Sequence, residues 1–209
     1  MADGPSLPPA YTPFQHIHRT WDSRHDQLAA RLAPGEYYVT EQDEAITTTL
    51  GSCVSACIWD TLFAIGGMNH VMLPGEEPIG GDPFADMPAA RSTRFGAYAM
   101  ELLINDILSR GGSRRRLKAK ICGGGDMGFG GPTIGRRNIA FVQRYLENEG
   151  IEIVSTDVGG TSPRQVYFFP KTGRLRVRKL HDRQSVVQQE HSFRDTLDRA
   201  PSAGSIELF

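Results

Sequence analysis

Thr49-Leu50-Gly51-Ser52-Cys53-Val54-Ser55-Ala56-Cys57-Ile58-Trp59-Asp60 and Phe63-Ala64-Ile65-Gly66-Gly67-Met68-Asn69-His70-Val71-Met72-Leu73-Pro74 are two apolar runs separated only by Thr61-Leu62. Runs of this composition broken by a short polar step read as an antiparallel hairpin. With Thr61-Leu62 at the tip, Asp60 faces Phe63 and Cys53 pairs with His70. Directly opposed residues carry their Cβ atoms roughly 5 Å apart on one face. A thiol and an imidazole at that spacing can act as nucleophile and base. The pairing is sensitive to register, because a one-residue slip sends the two side chains to opposite faces. Gly66-Gly67 is a place where a bulge could enter.

Outward from this hairpin the pattern is mixed. Glu36–Thr40 and Ala45–Leu50 read as strands before it. Residues 74–93 carry four prolines and several glycines and read as a loop. Met100, Leu103, Ile104, Ile107 and Leu108 recur at helical spacing, predicting a helix over 93–109 that Gly111-Gly112 ends. Leu117–Cys122 is a strand, Gly123–Gly131 a glycine-rich turn, and Ile134–Asn148 a second helix closed by Gly150. Strands follow at 151–156, 165–169 and 175–180. The expected fold class is α+β, a layered sandwich of mixed or antiparallel sheets with helices packed outside. Residues 1–34 read as an N-terminal extension with one short helix around Trp21–Leu32, 35–181 as the domain, and 182–209 as a mobile polar tail. Neither end carries a candidate catalytic group.

Lys plus Arg total 23 and Asp plus Glu 24, so net charge offers no argument for nucleic acid or for an anionic membrane surface. No apolar run reaches the roughly 20 residues of a membrane span, and the proline-bearing N-terminus has no apolar signal core. Three cysteines in 209 residues do not make a disulfide framework, so the expected compartment is the reducing cytoplasm.

Several motifs, in order, resemble the CheD family of chemoreceptor glutamine deamidases of bacterial chemotaxis. They are Gly51-Ser52-Cys53, His70-Val71-Met72-Leu73-Pro74, Lys120-Ile121-Cys122-Gly123-Gly124, Ile134-Gly135-Arg136-Arg137-Asn138, Asp157-Val158-Gly159-Gly160 and Gly173-Arg174-Leu175-Arg176-Val177-Arg178-Lys179. The resemblance implies a papain-like cysteine hydrolase site on a fold similar to the cytotoxic necrotizing factor toxins. It implies Cys53 as nucleophile, His70 as base and a threonine six residues before the cysteine, Thr47, as third member. It implies chemoreceptor cytoplasmic helices as protein substrate, a CheC-type phosphatase as a second partner, and no metal or organic cofactor.

Other readings attach to the same residues. By chemistry alone Thr48 and Thr49 are equal rivals of Thr47; only the family spacing selects among them. Cys57 and Cys122 are expected to pack. Cys53, Cys57 and His70 could be metal ligands, but no fourth ligand is evident in a matching motif. The loop Gly123–Gly131 lacks the Gly-Lys-Ser/Thr ending of a nucleotide loop and is expected to allow close backbone approach near the site. Asn69 falls on the far strand face and takes no orienting role. The rival to an enzyme is a non-catalytic module that docks a CheC-type phosphatase or a receptor helix, with Cys53 inert.

Overall fold

The computed structural model describes residues 12–73, 91–128 and 133–199. It is an α+β fold of two mixed sheets. Sheet A has the order β1 (His18–Asp22), β2 (Gln27–Arg31), β4 (Glu44–Leu50), β9 (Arg164–Phe169), β10 (Arg174–Lys179). Sheet B has the order β3 (Tyr37–Thr40), β6 (Gly66–Asn69), β5 (Val54–Asp60), β7 (Leu117–Gly123), β8 (Glu152–Val158). The α-helices among the described residues are α1 (Arg91–Ser109), α2 (Thr133–Asn148) and α3 (Gln184–Arg199).

Strand order decides where the helices lie. β6 and β7 both run antiparallel to β5, between them, so they are parallel to each other. β7 and β8 pair in parallel. The links through α1 and α2 are therefore two crossovers that move the same way across one sheet. Crossovers of this kind are right-handed almost without exception, which puts both helices on the same face. The opposite face of sheet B is left for sheet A. Alternation follows: Gly67 and Asn69 meet α1 through Leu103 and Met100, whereas Trp59 stacks toward Phe168 of sheet A. Ile46, Leu50, Val166 and Phe168 of sheet A join Tyr38, Ile58 and Met68 of sheet B in the main core.

The hairpin forms with a register two residues away from the expected one. Cys57 pairs with Met68, Ile58 with Gly67 and Trp59 with Gly66. The tip is longer than Thr61-Leu62 because Asp60 organises it: its carboxylate accepts from the N–H groups of Leu62 and Phe63, and Arg116 binds it from the β7 side. A shift of two preserves face parity, so Cys53 and His70 become diagonal rather than direct neighbours on one face.

The described parts of the two end segments differ from expectation in their secondary structure. The stretch Trp21–Leu32 is not a helix; it lies across the β1–β2 hairpin, which turns at Asp26 in the left-handed region (φ 52°) and completes sheet A. β2 is Gln-Leu-Ala-Ala-Arg, with no β-branched residue, and pairs in parallel with β4. A buried ion pair ties this extension down. Arg19 of β1 binds the Glu44 carboxylate, which also accepts from the hydroxyls of Tyr38 and Thr40. Residues 184–199, expected in a mobile tail, form α3. The loop expected at 74–93 lies outside the described residues except for its end, where α1 begins.

Glu44→Ala strips Arg19 of its buried partner and leaves two hydroxyls without an acceptor. Breaking a buried pair in this way costs about 3 kcal/mol or more. Urea unfolding should show that loss through a lower midpoint at unchanged m-value.

Candidate active site

The connection between β4 and β5, Gly51-Ser52-Cys53, is held from outside by its carbonyls. The Gly51 carbonyl accepts from Gly125 N–H (2.7 Å) and the Cys53 carbonyl from Gly124 N–H (2.7 Å). The Ser52 carbonyl accepts from the Asn138 side-chain amide of α2 (2.9 Å), whose oxygen takes the Leu73 N–H (3.0 Å). The three N–H groups of Gly51, Ser52 and Cys53 converge on one spot, those of Ser52 and Cys53 lying opposite the outward-tied carbonyls of Gly51 and Ser52. Consecutive amides arranged so form an anion-binding nest. The glycine loop has the place expected of it: Gly123 has φ 109°, and a Cβ there would stand 2.2 Å from the Cys53 carbonyl oxygen.

Cys53 and His70 are both buried here, 0% and 2% exposed. His70 lies just past β6, and its backbone bonds sideways to the approach of β3, through Glu36 O and Gly35 N–H. Its Nδ1 is 2.8 Å from Thr48 Oγ1. That hydroxyl also donates to the Leu32 carbonyl at 2.8 Å. A hydroxyl has one hydrogen, and the carbonyl can only accept it. Nδ1 is therefore the donor to Thr48, and the lone pair sits on Nε2. Nε2 is buried and makes no hydrogen bond among the described residues.

Thr47, the residue that the family spacing selects, is not at this site. Its hydroxyl donates to the Val166 carbonyl (2.8 Å), on the face of sheet A away from sheet B. The reason is strand parity. Ile46 and Leu50 face the main core, so Thr48 between them does too, and Thr47 and Thr49 point the other way. Asn69 takes no part: its amide oxygen accepts from Ala56 N–H and its nitrogen reaches Met100. Cys57 neighbours Cys122 rather than His70, and burial first, then that neighbour, pushes its thiol pKa up.

The third group beside Cys53 and His70 is Glu190 of α3, which sequence reading missed. Its carboxylate, the Cys53 sulfur and a His70 ring nitrogen lie within 4.8 Å of one another. Glu190 Oε1 accepts from Gly51 N–H (2.7 Å) and Cys53 N–H (3.1 Å), and Oε2 accepts from Ser52 N–H and Ser52 Oγ (both 2.7 Å). The carboxylate thus fills the nest, and its acceptor positions are taken up there. Burial, and then the Glu190 charge and hydrogen bond, hold the Cys53 thiol well above its usual pKa. Burial lowers His70 to about 4, against an opposing pull from Glu190. In this arrangement the pair is thiol and neutral imidazole.

The fold and site define a two-sheet α+β protein with a buried cysteine–histidine pair beside an anion-binding nest. A family model described as "CheD chemotactic sensory transduction" matches residues 72–179, beginning just past His70. The chain is 43% identical over 210 residues to the probable chemoreceptor glutamine deamidase CheD of Halorhodospira halophila, covering 99% of this chain and 96% of that one. It is 48% identical over 185 residues to the protein of the same description from Methylobacillus flagellatus, covering 87% and 89%. With that of Xanthomonas campestris pv. campestris it shares 45% over 198 residues, covering 92% and 95%. The chain belongs to the CheD family.

Two measurements check the His70 geometry. Nitrogen NMR at pH 7 should show His70 protonated at Nδ1; Thr48→Val should mix the tautomers and Thr47→Val should not. Because the folded pKa is depressed from 6.5 to about 4, the unfolded chain binds more protons between those values. The contribution of His70 to stability is present above pH 6.5 and is lost as pH falls toward 4. Unfolding midpoints should fall over that window, and less steeply in His70→Asn.

Proposed function

We propose that the chain is a chemoreceptor glutamine deamidase that hydrolyses glutamine side-chain amides to glutamate through a cysteine thioester. The observation that carries this reading is the His70 tautomer, which leaves the Nε2 lone pair free in a ring with a nitrogen within 4.8 Å of the Cys53 sulfur, beside the amide nest. The names borne by the relatives, each a probable chemoreceptor glutamine deamidase, point to the substrate. The papain-like reading rests on the same pair, with Thr48 rather than Thr47 as the positioning residue.

Cys53 gives its proton to His70 Nε2 and its sulfur bonds to the amide carbon. The oxyanion that forms is held by the N–H groups of Gly51, Ser52 and Cys53. Donors preorganised for such an oxyanion supply a large part of the rate enhancement in acyl transfer. His70 returns the proton to the nitrogen, the C–N bond breaks, and ammonia leaves. A water molecule deprotonated by Nε2 then adds to the thioester, the C–S bond breaks, and the sulfur recovers its proton from His70. The sum is amide plus water to carboxylate plus ammonium, with no cofactor in the cycle.

The substrate in this reading is a receptor's cytoplasmic helix, which places the enzyme in the cytoplasm; among the described residues no helix is long and apolar enough to cross a membrane. A CheC-type phosphatase presenting a receptor-like helix would use the same face.

Incubation with a receptor cytoplasmic fragment, read by peptide mass spectrometry, tests the reaction. Cys53→Ala and His70→Ala should each abolish the deamidation mass shift while remaining folded. The double variant should be no worse than either single, as for residues acting as one unit. Activity should persist in EDTA. Turnover by Cys53→Ala would remove the mechanism.

A further inference from the structure

α3 is mostly exposed and polar, yet one stripe of it is buried. Val186 and Glu190 are 5% exposed, and Phe193, one turn further on, packs against the main core. These positions follow i, i+4 and i+7, one face of a helix. Val187, His191 and Arg194 close over Ser52, Met72, Met127 and Ile134, leaving a gap of only about 30 Å³. The tip of Phe193 reaches Gly35, where a Cβ would lie 2.5 Å from its ring. Arg183, just before the helix, donates to the carbonyls of Asp126 and Thr161.

Glu190 is the residue in the nest, and its chemistry is particular. A glutamate side-chain carboxylate is the product of glutamine deamidation. It accepts from Gly51, Ser52 and Cys53, the N–H groups that the reaction needs for its oxyanion, and lies beside Cys53 and His70. Gly51 leaves room for it: a Cβ there would stand 2.8 Å from Glu190 Oε2. An ion pair with a stray surface group would explain none of these contacts, and no cationic side chain is among the Glu190 hydrogen-bond donors just named.

We infer that α3 is a built-in product mimic: it lies in the groove of the substrate helix, with Glu190 in the position of a deamidated glutamine, and shuts the site until a substrate helix displaces it. This rests on the deamidase reading for the meaning of the carboxylate, but the shielding of Cys53 does not. The closed site accounts for an otherwise awkward pairing of a protonated thiol with a neutral imidazole. With Glu190 withdrawn, an anion leaves the neighbourhood of the sulfur and water enters. Both changes favour thiolate.

The test uses the full-length chain and two readouts. The first is the rate of Cys53 alkylation by iodoacetamide at pH 7.5, located by peptide mass spectrometry. Glu190→Ala, which empties the nest, and Val186→Asp, which lifts the stripe, should each raise that rate by about tenfold or more, as thiolate character and access increase. Gln189→Ala, on the exposed face of α3, should leave it unchanged. The second readout is Glu190→Gln incubated alone. It presents a carboxamide where the product carboxylate lies, so residue 190 should convert to glutamate in this variant and stay glutamine when Cys53→Ala is added. The bond changes are those of the proposed reaction, with water as co-reactant. Unchanged alkylation in both Glu190→Ala and Val186→Asp would overturn the shielding. A Glu190→Gln chain that keeps its amide while deamidating a receptor fragment would overturn the product pose. If alkylation rises but no variant acts on a receptor fragment or on itself, the shielding stands and the deamidase reading fails.

Discussion

Three successive peptide units, Gly51 to Cys53, must turn all their N–H groups to one side, and the surroundings of the site follow from that requirement. A peptide is planar, so aiming its N–H inward sends its carbonyl outward, and a buried carbonyl needs a donor. For the Ser52 and Cys53 N–H groups those carbonyls are Gly51 and Ser52, which Gly125 N–H and the Asn138 side chain satisfy; Gly124 N–H binds the next carbonyl, that of Cys53. The glycine loop is therefore as much a part of the nest as the residues lining it. It approaches closely enough that a side chain at Gly123 would collide with the Cys53 carbonyl. α2 contributes one buried amide, which holds Ser52 and Leu73 together and so fixes the nest relative to the strand end next to His70. The two sheets meet at the same place: Thr48 belongs to sheet A and His70 to the sheet B side, and their hydrogen bond sets the tautomer that a base requires.

Much of this was legible along the chain because local patterns carry it. The Cys53–His70 meeting depends on face parity, and parity survived a register shift of two. The tip length was not legible from apolar runs, because it is set by Asp60 capping its own turn and by Arg116, the residue just before β7. The face on which each threonine lies was legible in the residues themselves. Ile46 and Leu50 are apolar at period two, and Thr48 is the threonine that shares their face; spacing from the cysteine ignores that alternation. β2 was hidden because alanines pack in a strand as well as in a helix when both faces are covered. Glu190 had no local signal. It is 137 residues from Cys53, in a polar segment whose inward stripe is a valine, a glutamate and a partly buried phenylalanine. A charged residue in the centre of such a stripe reads as surface until its partner amides are known.

The nest also explains how a carboxylate with no ion pair among the described residues can be buried. Each oxygen of Glu190 has two donors, and hydrogen bonds to an ionised acceptor are about twice as strong as neutral ones. The same donors would bind a neutral glutamine amide less well than they bind an oxyanion. That difference is the useful one, since only interactions stronger in the transition state than in the ground state accelerate the chemical step.

A site that favours anions also favours its own product, and a tethered glutamate bears on that difficulty. α3 begins four residues after β10 ends, counting 180–183 between Lys179 and Gln184, so its carboxylate stays near the nest whenever it is out. A tethered group returns at an effective concentration set by its linker. Any helix that enters must compete with it, and its apparent affinity is reduced by the fraction of molecules that are open. The grip on α3 rests mainly on one buried valine, one partly buried phenylalanine and the Glu190 contacts, with Val187 and Arg194 half-buried beside them. Such a hold is short in apolar area and concentrated in one carboxylate, so a substrate helix with a better apolar face can win it without unfolding the sheets beneath. After hydrolysis the new glutamate and Glu190 present the same group to the same amides. The tethered one then has the advantage of proximity, and its return favours release of the finished substrate.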